Sequence, residues 1–89
     1  MAVLFIPSSL RRYTNDESKI SLPAGTVAEM LERFVSISAE LRNHLFTGTA
    51  LRKFVVVCKN GQDIRLLDGV NTSVDEQDEV RIVASVAGG

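Results

Sequence analysis

The residues of this chain that could do chemistry are few, and the most distinctive are at its end. The sequence closes with Val86-Ala87-Gly88-Gly89, so the terminal carboxylate follows two residues without side chains. Glycine has no Cβ to collide with a narrow enzyme channel and adopts whatever φ the channel imposes. Two interpretations are open. The terminal glycines are either a poorly ordered chain end without a role, or they present the terminal carboxylate as an acyl group to a partner enzyme.

The five residues from Ser85 to Gly89 would reach up to ~17 Å if extended. Ordering them costs roughly 1–2 kcal/mol per residue in backbone entropy. A partner that binds this tail is therefore expected to contact the body of the protein as well.

Residues for nucleophilic or metal-assisted catalysis are scarce. The single His44 and the single Cys58 are distant in sequence, and together they cannot supply the three or four ligands of a zinc site. The acidic run from Asp75 to Glu79 precedes a strand pattern and is typical of a solvated turn. We predict no catalytic residue and no metal site.

Composition limits the possible partners and compartment. The 89 residues carry a net charge of −1, with no concentrated basic surface, which argues against a nucleic-acid or anionic-membrane partner. Hydrophobic residues make up 45% of the chain, but no stretch approaches the ~20 apolar residues of a membrane span. One cysteine cannot form an intramolecular disulfide, so we expect a cytoplasmic protein.

The first half of the chain predicts a hairpin and a helix. A strand from Val3 to Ile6 is expected to end near Leu10, and a second covers Lys19 to Leu22. Thr26 followed by Glu29 forms a capping box, which predicts a helix start. The residues at i, i+3, i+4 and i+7 of this helix are apolar and predict one core-facing stripe: Val27, Met30, Leu31 and Phe34.

The second half predicts a short helix and three further strands. The helix is expected within Ser38 to Phe46. The strongest strand pattern runs from Phe54 to Lys59 into Asn60-Gly61, which a type I′ hairpin turn favours. A return strand is predicted over Gln62 to Leu66, and a final strand over Glu79 to Val83.

This order of elements predicts the fold class and a candidate partner surface. A hairpin, a crossing helix and further strands form a mixed α+β sheet whose single main helix covers one face. Alternation then places Val55 and Val57 under the helix and Phe54, Val56 and Cys58 on the open face, where an apolar patch could meet a partner.

The pattern resembles the ubiquitin-like β-grasp proteins of the ThiS/MoaD sulfur-carrier family over essentially the whole chain. The resemblance implies a β-grasp body over residues 1–84 and a flexible diglycine tail over 85–89. The chain departs from the family in having Glu76-Gln77-Asp78 where Asp-Gly-Asp is common, and Ser85 where proline is common. Three stretches most resemble the CysO-type carriers: Ile6-Pro7-Ser8-Ser9-Leu10-Arg11, Leu51-Arg52-Lys53-Phe54-Val55 and Asn60-Gly61-Gln62-Asp63-Ile64-Arg65.

The resemblance also implies a function. Gly89 would be adenylated with ATP by an adenylyltransferase of the ubiquitin-activating type. A sulfide or persulfide donor would then convert it to a thiocarboxylate. Val86, Ala87 and Gly88 would enter partner active sites, including that of a sulfur acceptor such as a cysteine synthase homologue. The protein would be a co-substrate with no bound cofactor, and not itself an enzyme.

Three alternatives accompany this hypothesis. The protein could be the small subunit of a molybdopterin synthase, or a modifier conjugated to lysines through Gly89. It could also be a β-grasp interaction module whose terminal glycines have no role, since a fold does not establish a function.

Overall fold

The computed structural model describes residues 1–84 of the chain, which form a five-stranded mixed sheet with two helices and shorter elements. The order of strands in the main sheet is β2-β1-β9-β6-β7, and the pairs β3–β8 and β4–β5 lie outside it. The strands are β1 (Ala2–Phe5), β2 (Lys19–Leu22), β3 (Gly25–Thr26), β4 (Phe46–Thr47), β5 (Ala50–Leu51), β6 (Val55–Lys59), β7 (Gln62–Asp63), β8 (Ser73–Val74) and β9 (Glu79–Ala84).

The last strand, β9, lies at the centre of the sheet. It runs parallel to β1, with Leu4 opposite Val80, and antiparallel to β6, with Val57 opposite Ile82. The hairpin predicted at the start of the chain is present as the antiparallel pair β1–β2. The predicted mixed α+β architecture is therefore confirmed.

The main helix, α1 (Val27–Val35), begins where the capping box predicts. The Thr26 hydroxyl accepts a hydrogen bond from the Glu29 backbone N–H at 3.2 Å, and the Glu29 carboxylate accepts from the Thr26 N–H at 2.9 Å. These contacts satisfy two amides that a helix start leaves without partners. All four residues of the predicted apolar stripe are completely buried.

The core lies between α1 and one face of the sheet. Because successive side chains of a strand alternate between its two faces, each central strand contributes every second residue to this layer. Helix α2 (Ala39–Leu45) closes one side of the core with Leu41 and Leu45. The buried residues of the three central strands are Ala2 and Leu4 of β1, Val55 and Val57 of β6, and Val80 and Ile82 of β9.

Two predicted strand ends are wrong. The first strand ends at Phe5, and Leu10 lies buried in a 3-10 helix over Ser8–Tyr13. The return strand after Asn60-Gly61 ends at Asp63, because the Asp63 side chain accepts the backbone N–H of Arg65 and caps a 3-10 helix over Ile64–Leu66. In both places an apolar residue reaches the core from a helical turn instead of from a strand.

The predicted Asn60-Gly61 turn is confirmed. Asn60 has φ of 51° and Gly61 has φ of 84°, as a turn with two left-handed central residues requires. The short pairs β3–β8 and β4–β5 were not predicted, because two-residue strands carry no periodic pattern.

Candidate functional site

The sheet face opposite α1 carries a group of side chains that we call the open sheet face. It consists of the residues that alternate with the buried ones on the three central strands. One row crosses the sheet from Phe5 through Arg81 to Cys58, and the next pairs Val83 with Val56.

Arg81 occupies the middle of the first row. Its guanidinium carbon lies 4.4 Å from the centroid of the Phe5 ring, which is a cation–π contact. Phe5 is half-buried, whereas Arg81 is exposed, so the pair presents an aromatic surface and a fixed positive charge. Val83, which is 45% exposed, extends the apolar surface towards the end of β9.

The predicted alternation of β6 is confirmed. Val55 and Val57 are buried, and Val56 and Cys58 are half-buried on the opposite face. The prediction that Phe54 belongs to this strand is wrong, because Phe54 lies in the turn before β6, where it is 41% exposed. The residues predicted for the partner surface came from β6 and its immediate neighbourhood in sequence. The residues of β1 and β9 on the open sheet face were missed, because the sequence does not show that β9 lies between β1 and β6.

The tail residues Val86, Ala87, Gly88 and Gly89 lie outside the described part of the chain, so their predicted roles stay predictions. Their point of attachment is described. Ala84 is the last residue of β9 and pairs with Val55 at the start of β6. The described part of β9 therefore ends beside the row formed by Val83 and Val56.

The opposite end of β9 is held by a carboxylate. Asp78 accepts hydrogen bonds from the Asp75 backbone N–H at 2.7 Å and from the Asn60 side-chain amide at 2.9 Å. These two bonds, helped by Lys59 at 3.6 Å, hold the pKa of Asp78 below its usual range. The Asn60 side chain also accepts the Glu79 N–H, so the turn before β9 is joined to the turn after β6.

The residues considered for catalysis are not assembled into a site. His44 is exposed on α2, where its Nε2 is 3.0 Å from the Tyr13 hydroxyl. The acidic run around Asp75 forms the turn before β9. Within residues 1–84, no three histidine, cysteine or acidic side chains are grouped as metal ligands would be. The helices α1 and α2, with nine and seven residues, are much shorter than the ~20 apolar residues of a membrane-spanning helix.

The chain matches a known protein family over most of its length. The model of the ThiS family matches residues 4–89. The chain belongs to the ThiS family. The membership predicted from the sequence is thereby confirmed, and the match spans the body and the terminal glycines together.

Individual relatives agree with this assignment. The chain is 30% identical over 88 residues to the sulfur carrier protein CysO of Mycobacterium tuberculosis, covering 94% of each chain. The crystal structure of the BexX/CysO complex of Amycolatopsis orientalis contains a chain with a TM-score of 0.89 and 29% identity, with full coverage of both chains. The small archaeal modifier protein 1 of Methanosarcina acetivorans shares the fold, with a TM-score of 0.85 and 22% identity over 99% of this chain and 95% of that chain.

The predicted fold is confirmed by the same comparisons. The ubiquitin-like β-grasp arrangement of this ThiS-family chain is a mixed sheet with its main helix on one face.

Proposed function

We propose that this ThiS-family protein is a sulfur carrier whose Gly89 carboxylate becomes a thiocarboxylate that donates sulfur in biosynthesis. The observation that carries the proposal is the family match, which runs through residue 89 and so includes Gly88 and Gly89. The similarity to CysO, a sulfur carrier by name, over 94% of both chains adds support.

The proposed chemistry begins with activation, because a carboxylate is a poor electrophile. One oxygen of the Gly89 carboxylate attacks the α-phosphorus of ATP, pyrophosphate leaves, and an acyl-adenylate forms. Sulfide then attacks the carbonyl carbon, and AMP departs with the transferred oxygen. With a persulfide donor, its terminal sulfur displaces AMP and forms an acyl disulfide. A thiol then attacks the donor-side sulfur of this S–S bond, which forms a new disulfide with the donor and releases the thiocarboxylate. Both routes end in a Gly89 thiocarboxylate.

The chain itself acts as a co-substrate in this scheme. Residues 85–89 supply the acyl group and the segment that enters enzyme active sites, and residues 1–84 supply the body that docks. ATP and the sulfur donor are used by the partners, so we assign no bound cofactor to the carrier. Catalysis belongs to an adenylyltransferase of the ubiquitin-activating type and to a sulfur-accepting enzyme.

We assign the open sheet face, which includes the predicted residues Val56 and Cys58, to these partners, together with Phe54 in the turn before β6. The open sheet face adjoins Ala84, the last described residue of β9, so a partner that covers this face is close to the residue to which the tail is joined. Because Arg81 is held over the Phe5 ring, its charge has a defined position, which favours a carboxylate on the partner. The cytoplasm is the expected location of this exchange.

The acceptor we propose is an enzyme of sulfur-metabolite synthesis, with a cysteine synthase homologue as the first candidate. The CysO relative in the BexX/CysO structure is bound to a partner protein, which is the behaviour expected of a carrier. A molybdopterin synthase subunit would instead copurify with a large catalytic subunit. A protein modifier would form lysine-linked adducts in cells.

The test is intact-mass measurement after incubation with the cognate adenylyltransferase, ATP and sulfide. We expect replacement of one oxygen atom by sulfur, located at Gly89 by fragmentation of the C-terminal peptide. A variant lacking Gly89 keeps the body and loses the reacting carboxylate, so it should not yield the thiocarboxylate at residue 89.

Two results would contradict the proposal in different ways. Carrier-dependent pyrophosphate release without sulfur incorporation would support adenylation and favour the modifier alternative. The second result is an adenylyltransferase that is active on another carrier but releases no pyrophosphate with this protein. The terminal glycines would then have no role in acyl transfer, and the protein would be an interaction module.

A further inference from the structure

The two ends of the central strand pair carry opposite charges. Because β6 and β9 are antiparallel, the turn before β6 lies beside the end of β9, and the turn before β9 lies beside the end of β6. The first segment, residues 52–54, contains Arg52 and Lys53 and no acidic residue, and we call it the basic turn. The segment that leads into β9, residues 75–79, contains four acidic residues and no basic one, and we call it the acidic turn. Charge is therefore separated along β9, although the whole chain has a net charge of only −1.

The basic turn has a defined position. The Arg52 N–H donates to the Leu45 carbonyl at 2.9 Å, and the Arg52 Nε donates to the Asn43 carbonyl at 2.7 Å. The Val55 N–H closes the turn on the Arg52 carbonyl at 3.0 Å. Arg52 is half-buried and Lys53 is exposed, and neither forms an ion pair with another residue of the range 1–84. Both positive charges are therefore available to a partner.

The acidic turn keeps a negative charge after its internal contacts are considered. The Asp78 carboxylate lies 3.6 Å from the Lys59 ammonium. Glu76 lies 3.7 Å from the N-terminal ammonium, but both groups are exposed, so this contact is weak. Asp75 and Glu79 are exposed and form no ion pair within the described residues. This end of the strand pair is therefore negative towards any partner.

The distance between the two turns makes them act separately. Because β9 has six residues, its ends are about 17 Å apart at ~3.3 Å per residue. The Debye length at physiological ionic strength is about 8 Å, so charges this far apart on the surface are largely screened from each other. A partner surface placed against one end therefore interacts with the charge of that end, and not with the net charge of the chain.

The basic turn is at the end of the sheet to which the tail is joined. Phe54 follows Lys53 and is 41% exposed, and Val55 after it pairs with Ala84, the last described residue of β9. An enzyme that receives the terminal carboxylate must approach this end of the body. It meets an exposed aromatic ring beside two positive charges, which complements an apolar contact surrounded by carboxylates.

We propose that the basic turn docks onto an acidic surface around the entrance of the adenylyltransferase channel, and that the acidic turn disfavours the reversed orientation. This inference rests on the proposed sulfur-carrier function and adds the charge of the partner and the direction of approach. In the productive orientation Arg52 and Lys53 meet carboxylates. A carrier turned end for end would place residues 75–79 against the same carboxylates and would be repelled.

The test is calorimetric titration of the full chain into the cognate adenylyltransferase in the absence of ATP. We expect the Kd to rise at least about tenfold between about 0.05 M and about 0.5 M NaCl, because salt screens the contact. At the lower salt concentration Lys53→Glu should raise the Kd about tenfold and reduce its dependence on salt.

Two control variants separate the position of a charge from the net charge. Arg33→Glu makes the same change in net charge at an exposed residue of α1, on the other face of the sheet, and its Kd should stay within about twofold of the parent value. The double variant Lys53→Glu with Glu76→Lys has the net charge of the parent and should still bind about tenfold more weakly. Each single variant should unfold in urea at the midpoint of the parent, because these positions are exposed.

Four results would overturn the docking proposal. They are no binding of the parent protein at about 1 mM, a Kd that does not change with salt, equal losses in Lys53→Glu and Arg33→Glu, and recovery of the parent affinity in the double variant. Tighter binding of Lys53→Glu would show that the partner surface is basic, which also contradicts the proposal.

Addition of ATP tests the sulfur-carrier function separately. Pyrophosphate release together with binding that does not depend on Lys53 would contradict the docking proposal alone. Binding that depends on Lys53 without pyrophosphate release would support the docking surface and contradict the carrier function.

Discussion

At the scale of single residues, Asp78 joins two turns that are distant in sequence. Its carboxylate accepts a backbone N–H from Asp75 and an amide N–H from Asn60, and its side chain is only 14% exposed. The same carboxylate lies 3.6 Å from the Lys59 ammonium. The acidic run seen in the sequence therefore contains one residue with a structural role among solvated neighbours.

We expect Asp78→Asn to lower the free energy of unfolding by about 1–2 kcal/mol at pH 7, because charge-assisted hydrogen bonds are replaced by weaker ones. The folded-state pKa of Asp78 is depressed, so its contribution is present above the unfolded pKa of about 3.9 and is lost as pH falls through the folded pKa. Urea unfolding from pH 7 down to about pH 2 should show the two proteins converging in acid.

The control is Asp75→Asn, which removes a charge from an exposed side chain of the same turn. Its effect at pH 7 should be within about 0.5 kcal/mol. A pH-independent difference between Asp78→Asn and the parent protein would contradict the role given to the ionised carboxylate.

At the scale of elements, the start of α1 depends on contacts within one turn. Gly25 precedes the capping box with φ of 155°, and a Cβ placed there would lie 2.5 Å from the Glu29 carboxylate. Glycine is therefore required for both the backbone conformation and the space that the Glu29 side chain occupies. The helix start and the turn before it form one unit.

We expect Thr26→Ala to lower the free energy of unfolding by about 1 kcal/mol, because the Glu29 N–H loses its hydroxyl acceptor. Thr26→Ser keeps that acceptor and should lose less than about 0.5 kcal/mol. Urea denaturation of both variants measures the difference. Equal losses in the two would show that the threonine methyl, and not the cap, stabilises this helix start.

At the scale of the whole molecule, the sheet separates two surfaces. One face is covered by α1 and forms the core, and the other presents Phe5, Arg81 and Val83, with Val83 next to Ala84, the last described residue of β9. The proposed carrier function needs this separation, since a stable body must hold a docking surface while the terminal carboxylate enters another protein. Phe54, in the turn before β6, precedes Val55, which pairs with Ala84 at the same end of the sheet.

We expect Phe54→Ala to reduce the rate of adenylation by the cognate adenylyltransferase about tenfold at subsaturating carrier, through weaker docking. Pyrophosphate release measures this rate. Ile37→Ala is the matched control, because Ile37 is an exposed apolar residue in the turn after α1, away from the open sheet face. Both variants should retain the unfolding free energy within about 0.5 kcal/mol. Equal rates for the two variants would remove Phe54 from the docking surface.

The sequence alone determined the features that depend on near neighbours in the chain. Thr26 with Glu29 predicted the helix start, the apolar stripe predicted its buried face, and Asn60-Gly61 predicted the turn. Each rests on contacts within a few residues, so local spacing contains the necessary information. Local spacing was not sufficient at Leu10 and Ile64, which were predicted to continue a strand. Each is an apolar residue that follows a strand and reaches the core from a 3-10 helix.

Only the tertiary structure decided which strands are neighbours. A period of two places a residue on a face of its own strand but does not say which strand lies beside it. The central position of β9 brings Arg81 over Phe5 and opposite Cys58, although these three residues are far apart in the sequence.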